Sequence, residues 1–126
     1  MHMAKRRRSM SRDDVLAYCG SLPESIDSQP FGDEVVVFKV AGKMFAIVGL
    51  EEPPVVTLKC DPELALELRD RYAAVRPGYH TNKRHWNTVD LDGTLHADEI
   101  QEMIDHSYER VVAGLPRKER ERLAGA

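Results

Sequence analysis

Cysteine is scarce: Cys19 and Cys60 are the only two in 126 residues. Two thiols cannot build a disulfide framework or supply a four-cysteine zinc site. Long hydrophobic runs are missing as well. The apolar stretch Val35-Val36-Val37-Phe38 is far shorter than the roughly 20 residues a membrane span needs. The N-terminus lacks the apolar core of a secretory signal, so the expected compartment is the cytoplasm, with no membrane partner. No Gly-rich phosphate loop is present, since Ala41-Gly42-Lys43 reads as a hairpin turn. No catalytic motif of high specificity stands out, and no cofactor is expected.

What remains is a chain sized for one compact domain, with 42% hydrophobic residues, well above the range of disordered chains. Its formal charge of −3 conceals an asymmetry. Lys5, Arg6, Arg7 and Arg8 form a basic run, and the remainder holds 14 basic residues against 21 acidic ones. Residues 1–10 read as a basic, solvated tail, and residues 11–126 as the domain. An acidic body does not suit a general polyanion binder. Between Arg69 and Asn87, however, five Lys or Arg stand against the single acid Asp70. The following stretch, Thr88–Glu109, has seven acids and no Lys or Arg. A basic island therefore borders an acidic segment.

Element signals are clear along most of the chain. Ser11 with Asp14 three residues later reads as a capping box, and Val15, Leu16 and Cys19 supply one apolar face of the helix that follows. Residues 24–32 read as a polar loop. Residues 34–40, 44–50 and 55–60 are strand-like, the first two joined by the tight turn at Ala41-Gly42. In the third, Val56, Leu58 and Cys60 share one face while Thr57 and Lys59 share the other. Asp61-Pro62-Glu63 opens a second helix, with Leu64, Leu68 and Tyr72 on its inner side. Residues 85–89 read as a further strand, and a short one is expected near Tyr79. Asp98-Glu99 starts a long helix with apolar positions at Ile100, Ile104, Tyr108, Val111 and Leu115, and Arg117–Leu123 as a short charged continuation.

Three strands joined by short turns must pair antiparallel. The expected class is α+β, one antiparallel sheet of about five strands with helices packed on one face, in the order α-β-β-β-α-β-β-α.

Several strings together resemble the MmcQ/YjbR family of small bacterial proteins. They are Pro30-Phe31-Gly32-Asp33, residues 37–45 (VFKVAGKMF), residues 58–62 (LKCDP), residues 75–80 (VRPGYH) and residues 82–89 (NKRHWNTV). The resemblance spans Val15 to Pro116. It implies a fold like that of type III secretion chaperones, and a DNA-binding role based on likeness to a double-wing arrangement, which is analogy from fold.

The island itself has suitable chemistry. Arg76, Lys83 and Arg84 can neutralise phosphates, Asn82 and Asn87 can read base edges, and Tyr79 or Trp86 can stack on unpaired bases, with His80 and His85 beside them. Gly78 would let a ligand approach the backbone closely. Lys59 adds a cation from the outer face of its strand, with Lys39 and Lys43 near it. The plainer readings are a core tryptophan, a solvated loop and a soluble sheet face. His80 and His85 would need a third ligand such as Asp90 or Asp92 to hold a metal, and nothing fixes that geometry, so no metal is expected. Cys19 and Cys60 sit in apolar contexts and read as buried, inert thiols.

The leading expectation is a non-catalytic DNA-binding protein using Lys59, Arg76, Tyr79, His80, Asn82, Lys83, Arg84, His85, Trp86 and Asn87. The alternative is a protein-interaction or chaperone-like adaptor, and a third option is a small-ligand binder or enzyme with His80, His85 and Trp86 in a pocket. A monomer is the default.

Overall fold

Short-range hydrogen bonds start the helices. In the computed structural model, which describes residues 9–125, the Ser11 hydroxyl accepts from Asp14 N–H and the Asp14 carboxylate accepts from Ser11 N–H. This reciprocal cap opens α1 (Arg12–Ser21). Asp61 caps α2 (Pro62–Arg71), its carboxylate accepting from the N–H groups of Glu63 and Leu64. At α3 (Ala97–Ala113), Glu99 reaches back to His96 N–H. Pro116 separates α3 from the charged α4 (Arg117–Ala124).

The strands are β1 (Ile26–Ser28), β2 (Val35–Val40), β3 (Lys43–Gly49), β4 (Val55–Lys59), β5 (Val75–Pro77) and β6 (Trp86–Asp90). They form one sheet in the order β1-β2-β3-β4-β6-β5, with every neighbouring pair antiparallel. The α+β class and the antiparallel sheet agree with expectation, but there are six strands rather than about five. The extra strand, β1, lies inside the stretch 24–32 read as a loop. It is three exposed residues held to β2 by main-chain pairing, so no side-chain alternation marks it.

Register sorts the strand residues onto two faces. One row runs Val36, Val48, Val56, Val89 and Val75 across five strands, and a second runs Phe38, Ala46, Leu58 and Asn87. The apolar members of these rows join Val15 and Cys19 of α1 and Ile100, Ile104 and Val111 of α3 in the core. The N-terminal boundary of the domain moves: Met10, read as part of the tail, is 3% exposed and packs in that core. The run Lys5–Arg8 lies outside the described residues. Ser107 ties the helix layer to the sheet by donating to the Phe45 carbonyl at 2.5 Å and accepting from Lys59 N–H at 2.8 Å.

The opposite row, Val37, Ile47, Thr57 and Thr88, defines the face away from the helices. That face is not uniformly wet. Val37, Thr57 and Thr88 are buried, and the two threonine hydroxyls bond each other at 2.8 Å. The loop after β5 folds back over it, with Tyr79 N–H donating to the Thr88 hydroxyl at 2.9 Å.

Candidate nucleic-acid interface and the face that carries it

The basic island does not act as one surface. Register places Lys59 opposite Trp86, two residues along from the Thr57–Thr88 pair, so both lie on the outer face as strand alternation predicts. Both are half-buried. Lys83 and Arg84 are exposed just before β6, and Lys39 and Lys43 flank the β2–β3 turn. Because the strands are antiparallel, all of these cations sit at the same end of the sheet. None of them forms an ion pair with a carboxylate among the described residues.

Other island residues are used internally. Asn87 belongs to the helix-facing row and is 3% exposed. Its amide accepts from Arg69 Nε at 2.7 Å and donates to the Ala65 carbonyl at 3.3 Å. It therefore fastens α2 to β6 and is turned away from the surface on which base reading was expected. The reason is period two: with Trp86 outward, its neighbour must point inward. Arg69 completes the arrangement by donating also to the carbonyls of Lys83 and Trp86. Arg76 is held by Asp90 through two bonds, of 3.1 and 2.7 Å, and this partner raises the guanidinium pKa further.

The loop between β5 and β6 is shaped by its own packing. A Cβ on Gly78 would lie 2.2 Å from the Thr81 hydroxyl and 2.7 Å from Trp86 Cβ. Packing of its own loop against β6 thus already requires glycine at position 78. Lys83 Nζ donates to the Gly78 carbonyl at 3.0 Å, and the Asn82 side chain accepts from Arg84 N–H at 3.0 Å, so these two residues brace the loop while remaining exposed. His85 is half-buried, and its carbonyl accepts from Cys60 N–H. Tyr79 and His80 are exposed at the loop tip, their rings 3.9 Å apart, with His80 at a φ of 57°. Few non-glycine residues adopt that left-handed conformation without local strain.

Tyr79, His80 and Thr81 line a second feature, not anticipated from the sequence. It is a cavity of about 590 Å³ on the outer face, floored by Val35, Ile47, Val55 and Thr57 and bordered by Phe31, Glu34, Glu51 and Glu52. The signal available was the uninterrupted apolar run at Val35–Phe38, which marks a strand covered on both faces. A smaller cavity of about 180 Å³ lies between α2 and α3, lined by Leu58, Cys60, Leu68, Tyr72, Met103 and His106 among others. Its chemistry is muted. Burial pushes the Cys60 thiol up to about 11 and holds the His106 pKa below the ordinary histidine value. His106 Nε2 accepts from Asp61 N–H at 3.1 Å, which requires the neutral ring. Cys19 is also buried, its thiol pushed up to about 12. Among the described residues no three His, Cys, Asp or Glu side chains gather as a metal site, and no helix is long and apolar enough to cross a membrane.

The same fold recurs in related proteins. A crystal structure of a Deinococcus radiodurans protein superposes with a TM-score of 0.86 at 38% identity, covering 95% of this chain and 92% of that one. A Pseudomonas syringae protein superposes at 0.70 with 29% identity, over 80% of this chain and 98% of its own. In sequence, the YjbR protein of Escherichia coli is 39% identical over 115 residues, which is 90% of this chain and 98% of that protein. The YyaQ protein of Bacillus subtilis is 32% identical over 73 residues, 58% of this chain and 61% of that one. The sequence model of the YjbR family matches residues 20–110, from the end of α1 into the last turn of α3, and with these likenesses the chain belongs to the YjbR family.

Proposed function

We propose that this is a cytoplasmic nucleic-acid-binding protein that contacts DNA with the basic end of its outer sheet face. The observation that carries the reading is the cross-strand pair Lys59 and Trp86, with Lys83 and Arg84 beside it, Lys43 on the neighbouring β3 and Lys39 on β2 beyond. Adjacent strands are about 4.8 Å apart, so cations on successive strands form a row able to follow a phosphate backbone. Partly exposed Trp86 is the aromatic on which an unpaired base would stack, which favours single strands over duplex. Asn87, Arg69 and Arg76 are outside this contact set because their polar groups are satisfied within the fold. The acidic remainder keeps the binding weak and strongly dependent on salt.

Fluorescence anisotropy with a labelled oligonucleotide of about 20 nucleotides, single-stranded and duplex, tests this at about 50 mM and about 200 mM salt. The expected result is binding at low salt that falls steeply as salt rises. Undetectable binding of both forms at low salt overturns the proposal. The adaptor reading is favoured by a different observation, the cavity under Tyr79 and His80, whose three carboxylates repel nucleic acid.

A further inference from the structure

The 590 Å³ cavity on the outer face has a consistent chemistry. Its floor is mostly apolar: half-buried Val35 and Gly49 are cross-strand neighbours, as are half-buried Ile47 and buried Thr57, and Val55 shares the outer face of β4 with Thr57. Two aromatic rings, Phe31 and Tyr79, border it at 66% and 68% exposure. Exposed aromatics of this size are costly on a surface with no partner. Three exposed glutamates, Glu34, Glu51 and Glu52, complete the border, and among the described residues no Lys or Arg lines it.

One guanidinium is already bound at this border from within the chain. Arg12, at the start of α1, donates to the Glu51 carbonyl at 2.6 Å and to the Glu52 carboxylate at 3.0 Å. One nitrogen of Arg12, Nη2, makes both bonds, so a carbonyl and a carboxylate of the border already converge on a guanidinium. Among the described residues the Glu34 and Glu51 carboxylates form no ion pair. Aromatic faces and carboxylates around one space suit arginine better than lysine, since a planar, weakly hydrated guanidinium can stack and form paired bonds together.

A lone guanidinium would leave the Val35, Ile47 and Val55 floor wet. The occupant must bring apolar side chains as well as positive charge, which is the pattern of an extended peptide with arginine and aliphatic residues alternating. We propose that this cavity is a docking site for an extended, arginine-bearing segment of a partner protein. Its arginines would meet Glu34 and Glu51 between Phe31 and Tyr79, and its aliphatic residues would cover the floor. The site lies toward the other end of the outer face from Lys59, so occupation here and at the basic end are separable.

Isothermal titration of the full-length protein tests this with a capped nonapeptide alternating arginine and leucine, against the same peptide with glutamate in place of arginine. The arginine peptide should bind and the glutamate peptide should not. The double variant E34Q/E51Q should weaken binding by at least about tenfold, and Y79A, at an exposed site that folding tolerates, by several-fold. Equal binding of both peptides, or unchanged affinity in both variants, overturns the proposal. A full-length variant with K5S, R6S, R7S and R8S addresses the chain's own basic run. Unchanged affinity there supports a partner segment, whereas affinity rising about tenfold names the chain's own run as the occupant and overturns the partner assignment.

Discussion

Arg69 Nε donates to Asn87 Oδ1 at 2.7 Å, joining α2 to the buried side of β6. Asn87, expected to read base edges, and Arg69, at the start of the basic island, are in fact each other's structural partners. Truncating Asn87 leaves the Ala65 carbonyl and one guanidinium donor without their bonds in a region closed to water. Asn87→Ala should cost about 1–3 kcal/mol of stability, measured by urea denaturation, while the folded variant keeps wild-type affinity for oligonucleotide. Wild-type stability combined with lost binding would place Asn87 at the interface and contradict its assigned role.

Arg76 and Arg84 separate the island into its two parts. Arg76 is tied to Asp90 in a bidentate pair, whereas Arg84 forms no ion pair with a described carboxylate. Arg84→Ala combined with Lys59→Ala should lower affinity for single-stranded DNA several-fold and reduce the salt slope, because about two phosphate contacts are lost. Arg76→Ala should change affinity much less. A larger loss from Arg76→Ala than from the pair would move the site to the β5 edge of the sheet.

Gly78 has no room for a side chain. An alanine there would set its Cβ 2.2 Å from the Thr81 hydroxyl and 2.9 Å from the Trp86 carbonyl. Gly78→Ala should therefore displace the loop or the start of β6 and cost about 1–3 kcal/mol. Trp86 is the only tryptophan, so a shift of its emission maximum reports the displacement directly. An unchanged spectrum at unchanged stability would show that the loop yields freely.

His106 should make stability depend on pH in one direction. Burial holds its folded-state pKa below the ordinary value of 6.5, with Arg110 acting in the same sense. As pH falls through about 6.5 the unfolded chain takes up a proton that the folded protein refuses, so this contribution is present at higher pH and lost on acidification. Asp61 and Glu109 face the same ring and oppose the shift without cancelling it. In His106→Gln the stability difference from wild type should shrink between about pH 7.5 and about pH 5. The check is urea denaturation of both proteins at each pH, and a constant difference counts against the assignment.

Much of the fold was legible because it is written in short-range chemistry. The Ser11–Asp14 cap, the Asp61-Pro62 helix start and the outward direction of Lys59 each follow from neighbours within a few residues. The edge strand β1 was not legible, since Ile26, Asp27 and Ser28 are ordered by pairing with Val37–Lys39 and carry no pattern of their own. Ser107 was equally silent. A serine within a helix gives no sign that its hydroxyl will link Phe45 and Lys59 across two strands.

The sequence by itself determined the helix starts, the strand alternation and the concentration of charge between Arg69 and Asn87. Only the tertiary structure decided which charges along the chain are spent. Arg76 meets Asp90 across 14 positions, Arg69 meets Asn87 across 18, and Arg12 meets Glu52 across 40. Electrostatic attraction and hydrogen bonding depend on separation in space, and strand register sets that separation without leaving a trace in the local sequence.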